Sequence, residues 1–169
     1  MFNRIRLRFQ DIKTISKLIS GADEQAHING DEMPGAEHFL LSAFKLPDGS
    51  ARRVFERAGA DPDDFHDAIR KQYNDALNSI GIDEISMESD PEPVNSTKTF
   101  HNAKPSGQAV MKALYALKQD DKDIPLLGAH VVGVVADMEH GVAARALRAM
   151  GVDQTHITKA VKEELESFH

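Results

Sequence analysis

Few side chains in this 169-residue chain stand close enough in sequence to do chemistry together. Glu37-His38 is one pair, and Asp153 with His156 is another. A carboxylate beside an imidazole can shuttle protons in a hydrolysis, provided a nucleophile and an oriented third group accompany it. Neither pair has that company. No Gly-x-Ser-x-Gly turn presents a serine, and the chain contains no cysteine. Metal chemistry fares no better: His27, His101 and Glu139-His140 miss the His-x3-His and His-Glu-x2-His spacings that put ligands on one helical face. No Gly-x4-Gly-Lys-Ser/Thr loop is present to cradle a nucleotide. The expectation is a non-enzymatic protein with no catalytic residue, no metal and no cofactor.

Two histidines gain meaning from their positions. Aligned with itself at a displacement of 92 residues, the chain matches His38 to His130, and the register holds without gaps for about 35 residues. Gly49 then meets Gly141, Arg53 meets Arg145, Gly59 meets Gly151 and Asp61 meets Asp153. Apolar positions follow suit, Phe39 with Val131 and Phe55 with Leu147. This reads as a duplication, with His38 and His130 sharing a structural job such as tying a neighbouring backbone group. Gly59 and Gly151 read as left-handed helix ends. Asp61 and Asp153 read as caps of the helices that follow, each worth about 1 kcal/mol over Ala. Arg52 and Arg53, with Arg57, Arg145 and Arg148, form either a solvated face of weak ion pairs or a rim for acidic peptides.

The elements that must hold these residues are helical. Ile12, Ile15, Leu18, Ile19 and Ala22 recur at helical spacing, which predicts a helix over about 10–27. Pro34 opens a second helix with Glu37 in its first turn, where an acid complements the dipole. A short third helix follows from Ser50, and a fourth from Pro62 to about Ile80. The polar stretch 82–104 reads as a linker. A segment near 94–100 is expected to be extended and to pair with the alternating arm Arg4–Phe9. Four more helices follow, starting near Pro105, Ile124, Val142 and Asp153. The prediction is one all-α domain over 1–169, built of two pseudo-twofold-related four-helix repeats, about 10–81 and 105–167.

Composition agrees. Apolar residues make up 41% of the chain and aromatics only 6%, a palette suited to packed helices rather than a β-sandwich. The formal charge of −7 repels phosphate backbones, so nucleic acid is not an expected partner. No apolar run approaches the roughly 20 residues of a membrane span, and no secretory pattern follows the basic start. The expectation is a cytoplasmic protein with no membrane partner.

The run Gly35-Ala36-Glu37-His38-Phe39-Leu40-Leu41, then Gly49-Ser50-Ala51-Arg52-Arg53, then Gly59-Ala60-Asp61, resembles the Clp N-terminal repeat. Gly141-Val142-Ala143-Ala144-Arg145-Ala146-Leu147 and Gly151-Val152 carry the same likeness in the second unit. The resemblance implies an eight-helix docking domain of the kind that receives substrates and adaptors for Clp unfoldases in regulated proteolysis, here without ATPase modules. The partners it implies are a Clp unfoldase, an adaptor or a substrate protein. The alternative is a scaffold or decoy that docks on, or competes with, a full-length unfoldase without taking clients. In the ClpC-like branch the Glu of the Glu-His pair resembles a receptor for the guanidinium of phosphoarginine, whose fork a carboxylate can accept. This implies a ligand site at Glu37 with Gly35 and Ala36, although the family has Thr where Ala36 stands. Ala129 replaces the Glu of the second unit, so the matching pocket is lost there. Some N domains of the family bind cyclic peptides, which adds these to the implied ligands.

Overall fold

The computed structural model describes residues 2–81 and 103–168, which form eight helices and no strand. They are α1 (Phe2–Ile28), α2 (Ala36–Phe44), α3 (Ser50–Arg57), α4 (Asp64–Ser79), α5 (Pro105–Asp120), α6 (Gly128–Ala136), α7 (Val142–Ala149) and α8 (Gln154–Glu166). α2 and α6 begin and end at the spacing that separates His38 from His130, and so do α3 and α7. The duplication seen in the residues is thus a duplication of elements.

α2 lies at the centre and all nine of its residues are buried. It packs on α1, α5 and its counterpart α6. Leu40, Val54 and Phe55 from one repeat share a core with Val110, Val131, Val135, Ala146 and Ile157 from the other. Phe44, Phe55 and Phe65 meet edge to face, with ring centroids 4.7–6.2 Å apart, a geometry the ring quadrupoles favour. Gly128 lets the start of α6 press against the first repeat. A Cβ there would lie 2.9 Å from the Ala51 methyl and 3.2 Å from the Ala43 carbonyl oxygen.

Each central helix has its amino end satisfied by a hydroxyl of the other repeat. The Ala36 N–H donates to Ser106 Oγ at 3.1 Å, and the Ala129 N–H donates to Ser50 Oγ at 2.8 Å. Asp48 adds a carboxylate at the Gly128 N–H, 3.3 Å away. These bonds meet donors that helix geometry leaves without intrahelical partners.

The two short helices end alike. Gly59 and Gly151 have φ of +77° and +71°, and the next N–H reaches back five residues, Ala60 to the Phe55 oxygen and Val152 to the Leu147 oxygen. Beyond that point the repeats part. Asp153 caps α8, accepting from the Thr155 and His156 N–H groups. Asp61 accepts from the equivalent Asp63 N–H at 2.9 Å. The backbone there closes i+3 turns, Asp64 N–H to the Asp61 oxygen and Phe65 N–H to the Pro62 oxygen, where the Ile157 N–H reaches the Asp153 oxygen at i+4, and α4 begins only at Asp64. The fourth helix therefore starts two residues later than Pro62.

The amino-terminal arm differs more. Its alternating pattern predicts an extended segment over residues 4–9; these residues are instead the first turns of α1, which is helical from Phe2. Ile5, Phe9 and Ile12 fall at i, i+4 and i+7, a helical period that the basic and apolar alternation obscures. The expected pairing partner near 94–100 lies outside the described residues. No helix among the described residues is long and apolar enough to cross a membrane.

Candidate functional site

His38 and His130 each occupy the third position of a buried helix, α2 and α6. Their Nδ1 atoms accept the N–H of the residue just before the helix, Gly35 at 2.9 Å and Leu127 at 3.0 Å. This is the back-bonding half of a capping box, with imidazole doing what Glu or Gln usually does. A ring that accepts through Nδ1 while neutral keeps its proton on Nε2. Burial lowers the pKa of both rings below 6.5; at His38 this outweighs the carboxylates of Glu37 and Asp31, and at His130 Lys118 adds to it.

Around His38 lies a compact polar cluster. His38 Nε2 stands 3.4 Å from Asp31 Oδ2 and 3.2 Å from the Asn29 side-chain amide. The Tyr73 hydroxyl lies 2.8 Å from Asp31 Oδ2 and 2.9 Å from Glu37 Oε1, so one phenolic proton serves two carboxylates. Burial, then the neighbouring carboxylates, push the Tyr73 pKa far above the phenol range, and the group remains a donor. Lys104 Nζ closes the cluster at Asp31 Oδ1, 2.8 Å away, and lies 5.8 Å from the Tyr73 ring centre.

Glu37 is 3% exposed. Its carboxylate folds back over Gly35, where a Cβ would meet Oε2 at 2.7 Å. Ala36 is buried and its N–H is held by Ser106. Of the carboxylate oxygens at which the resemblance implied a guanidinium, Oε1 accepts from the protein's own Tyr73 and Oε2 lies over Gly35. Donor atoms of Asp31, Glu37 and His38 lie within 4.8 Å of one another, close enough to share a cation. Lys104 already brings a positive charge to Asp31, and Tyr73 a proton to the pair.

The arginines of α3 are engaged. Arg53 Nε and Nη2 both reach Glu164 Oε1 at 2.7 Å, and Arg57 Nε approaches Glu164 Oε2 at 3.4 Å. Glu164, on α8, is 1% exposed. The pairing ties α3 of the first repeat to α8 of the second. Arg52 reaches across to Asp63 at 2.9 Å on the surface. Arg145, the counterpart of Arg53, is exposed. Glu164 escaped sequence reading because its counterpart in the first repeat is Gln72, so the repeat gave no signal there.

A surface cleft of about 270 Å³ opens elsewhere, at the seam between repeats. It is lined by Gln10, Lys13, Thr14 and Lys17 of α1 together with the segments 46–48 and 125–127. The Asp48 carboxylate is taken up by Ser50 and the start of α6. The lining is thus mostly apolar and includes two exposed lysines, Lys13 and Lys17. Its volume lies just below that of small-molecule pockets, and suits one or two side chains of a peptide. Two lysines four apart on an amphipathic helix were the signal available beforehand.

Comparison with known proteins agrees with this architecture. In the crystal structure of the N-terminal domain of the caseinolytic protease associated chaperone ClpD from Arabidopsis thaliana, the fold is similar, with a TM-score of 0.56 and 18% identity. The likeness covers 93% of this chain and 92% of that one. No curated protein matches in sequence. The model of the Clp repeat (R) N-terminal domain family matches residues 13–113, from the first repeat into α5. With that match, the doubled helices and the paired histidine caps, the chain belongs to the Clp repeat N-terminal domain family.

Proposed function

We propose that the protein is a docking module that holds segments of partner proteins, clients or adaptors of a Clp unfoldase, without chemistry of its own. The observation that carries this reading is the cleft at the repeat seam, mostly apolar in its lining and including the exposed Lys13 and Lys17. Such a site favours an extended segment with an apolar side chain flanked by acids. The His38 cluster lacks what a reaction centre needs: its histidine nitrogens are occupied, and its carboxylates are bound to Tyr73 and Lys104. In this reading Glu37 belongs to the framework that orients α2, and phosphoarginine is not its ligand.

Fluorescence anisotropy of a labelled, permanently unfolded polypeptide such as reduced carboxymethylated lactalbumin tests the cleft. Lys13→Glu combined with Lys17→Glu should weaken binding roughly tenfold by reversing the charge at the cleft. Equal affinity would remove the cleft from the reading. Capture of a Clp unfoldase with no affinity for the polypeptide would favour the scaffold or decoy.

A further inference from the structure

The amino-terminal turns of α1 run beyond the part of the helix that is buried. On the side facing the body, Leu18 and Ala22 are fully buried and Leu7 and Asp11 are half-buried. Asp11 is fixed there by the Leu126 N–H at 2.6 Å and Lys118 at 3.5 Å. The opposite side carries Ile5, Phe9 and Ile12, which are 51%, 68% and 63% exposed. Scattered exposed apolar residues need no explanation, but three in one line on a regular helix form an unpartnered seam.

The sequence pattern says what would cover it. Phe2, Ile5, Phe9 and Ile12 fall at the a and d positions of two heptads, and the seam stops at Ser16. Three of the four flanking e and g positions are basic, Arg6, Arg8 and Lys13, and the fourth, Ile15, packs on the core. None of the three basic residues makes an ion pair among the described residues. A second copy of this helix would set basic flank against basic flank in either orientation, which opposes self-pairing. An anionic lipid surface would attract the tip but repel the rest of the molecule, since all 27 acidic residues lie outside residues 2–10.

We propose that this seam docks a helix of a partner protein that carries apolar residues at its own a and d positions and acids at e and g. The contact borders the cleft only at Lys13; the cleft otherwise opens along a different flank of α1, through Gln10, Thr14 and Lys17. Two heptads give a modest interface whose selectivity comes from charge rather than area.

A labelled 21-residue peptide with Leu at a and d and Glu at e and g serves as the probe, beside a twin with Lys at e and g. The Glu peptide should bind the full chain and the Lys peptide should not. Phe9→Ser with Ile5→Ser should weaken binding roughly tenfold or more, because two buried anchors are lost from exposed positions that leave the fold intact. Arg6→Glu with Arg8→Glu, neither of which lines the cleft, should shift the preference toward the Lys peptide. Lys17→Glu, a change confined to the cleft, should leave affinity for the Glu peptide unchanged. Indifference to peptide charge, or binding that survives loss of Phe9 and Ile5 but not of Lys17, would overturn the proposal. So would a stripe-dependent dimer in sedimentation, or binding to phosphatidylglycerol vesicles in place of the peptide. Because Lys17 lines the cleft alone and Arg6 and Arg8 flank the seam alone, failure here leaves the reading of the cleft standing.

Discussion

Single residues here act mainly through hydrogen bonds that only one protonation state can make. His38 and His130 accept a backbone N–H through Nδ1, and protonation of Nδ1 abolishes that role. Both have a folded pKa below the ordinary 6.5, chiefly through burial. Below pH 6.5 the unfolded chain therefore binds more protons than the folded one, and stability falls as pH falls. Each ring contributes a slope of at most about 1.4 kcal/mol per pH unit. Thermal melts between pH 7.5 and 5.5 should show the Tm dropping toward acid. His130→Gln keeps an acceptor suited to that helix position and cannot titrate, so its slope should be shallower; an unchanged slope would count against the cap. That these two histidines are equivalent could be read from their spacing alone. The Asp31, Tyr73 and Lys104 contacts could not, because Asp31 and Tyr73 lie 42 positions apart and Tyr73 looks like an ordinary stripe residue on its helix.

Among elements, the turns and the crossings decide stability. Gly59 and Gly151 hold left-handed conformations at equivalent helix ends, and a Cβ at either would meet nothing within 4 Å. Backbone strain alone is then at stake, and Gly59→Ala and Gly151→Ala should each cost about 1–2 kcal/mol in urea unfolding. A negligible cost at either would remove the shared turn. The crossing of α3 and α8 should matter more. Arg53→Ala leaves the Glu164 carboxylate buried with only Arg57 nearby, a loss of about 3 kcal/mol. Glu164→Gln removes the charge that needs pairing, so the double variant should be less destabilised than the two single changes added together. Additive losses would mean the pair is not coupled. Helix ends marked by glycine were readable from sequence. The start of α4 was not, because Asp61 and Asp153 are the same residue in the same register, yet the backbone after Asp61 closes i+3 turns where that after Asp153 runs straight into an α-helix. The helical arm of α1 was hidden because Arg and apolar residues alternate at a strand period over a heptad pattern.

At the scale of the molecule, two copies of a four-helix unit bury α2 and α6 against one another and cap each other's central helices. The arrangement commits His38, His130 and Glu164 to structure and leaves a cleft lined in part by Lys13 and Lys17 at the seam between copies. The architecture was legible because duplication doubles every boundary signal. The cleft was not, because three distant segments form it and none is marked by the repeat. Amide chemical-shift mapping with the unfolded polypeptide is the most direct measurement. The expected result is a continuous set of shifted amides at Gln10, Lys13, Thr14, Lys17, Leu46 and Leu127, with the polypeptide recovered uncleaved. Shifts gathered instead around Glu37 and Tyr73, or a cleaved polypeptide, would contradict a docking module built at the seam.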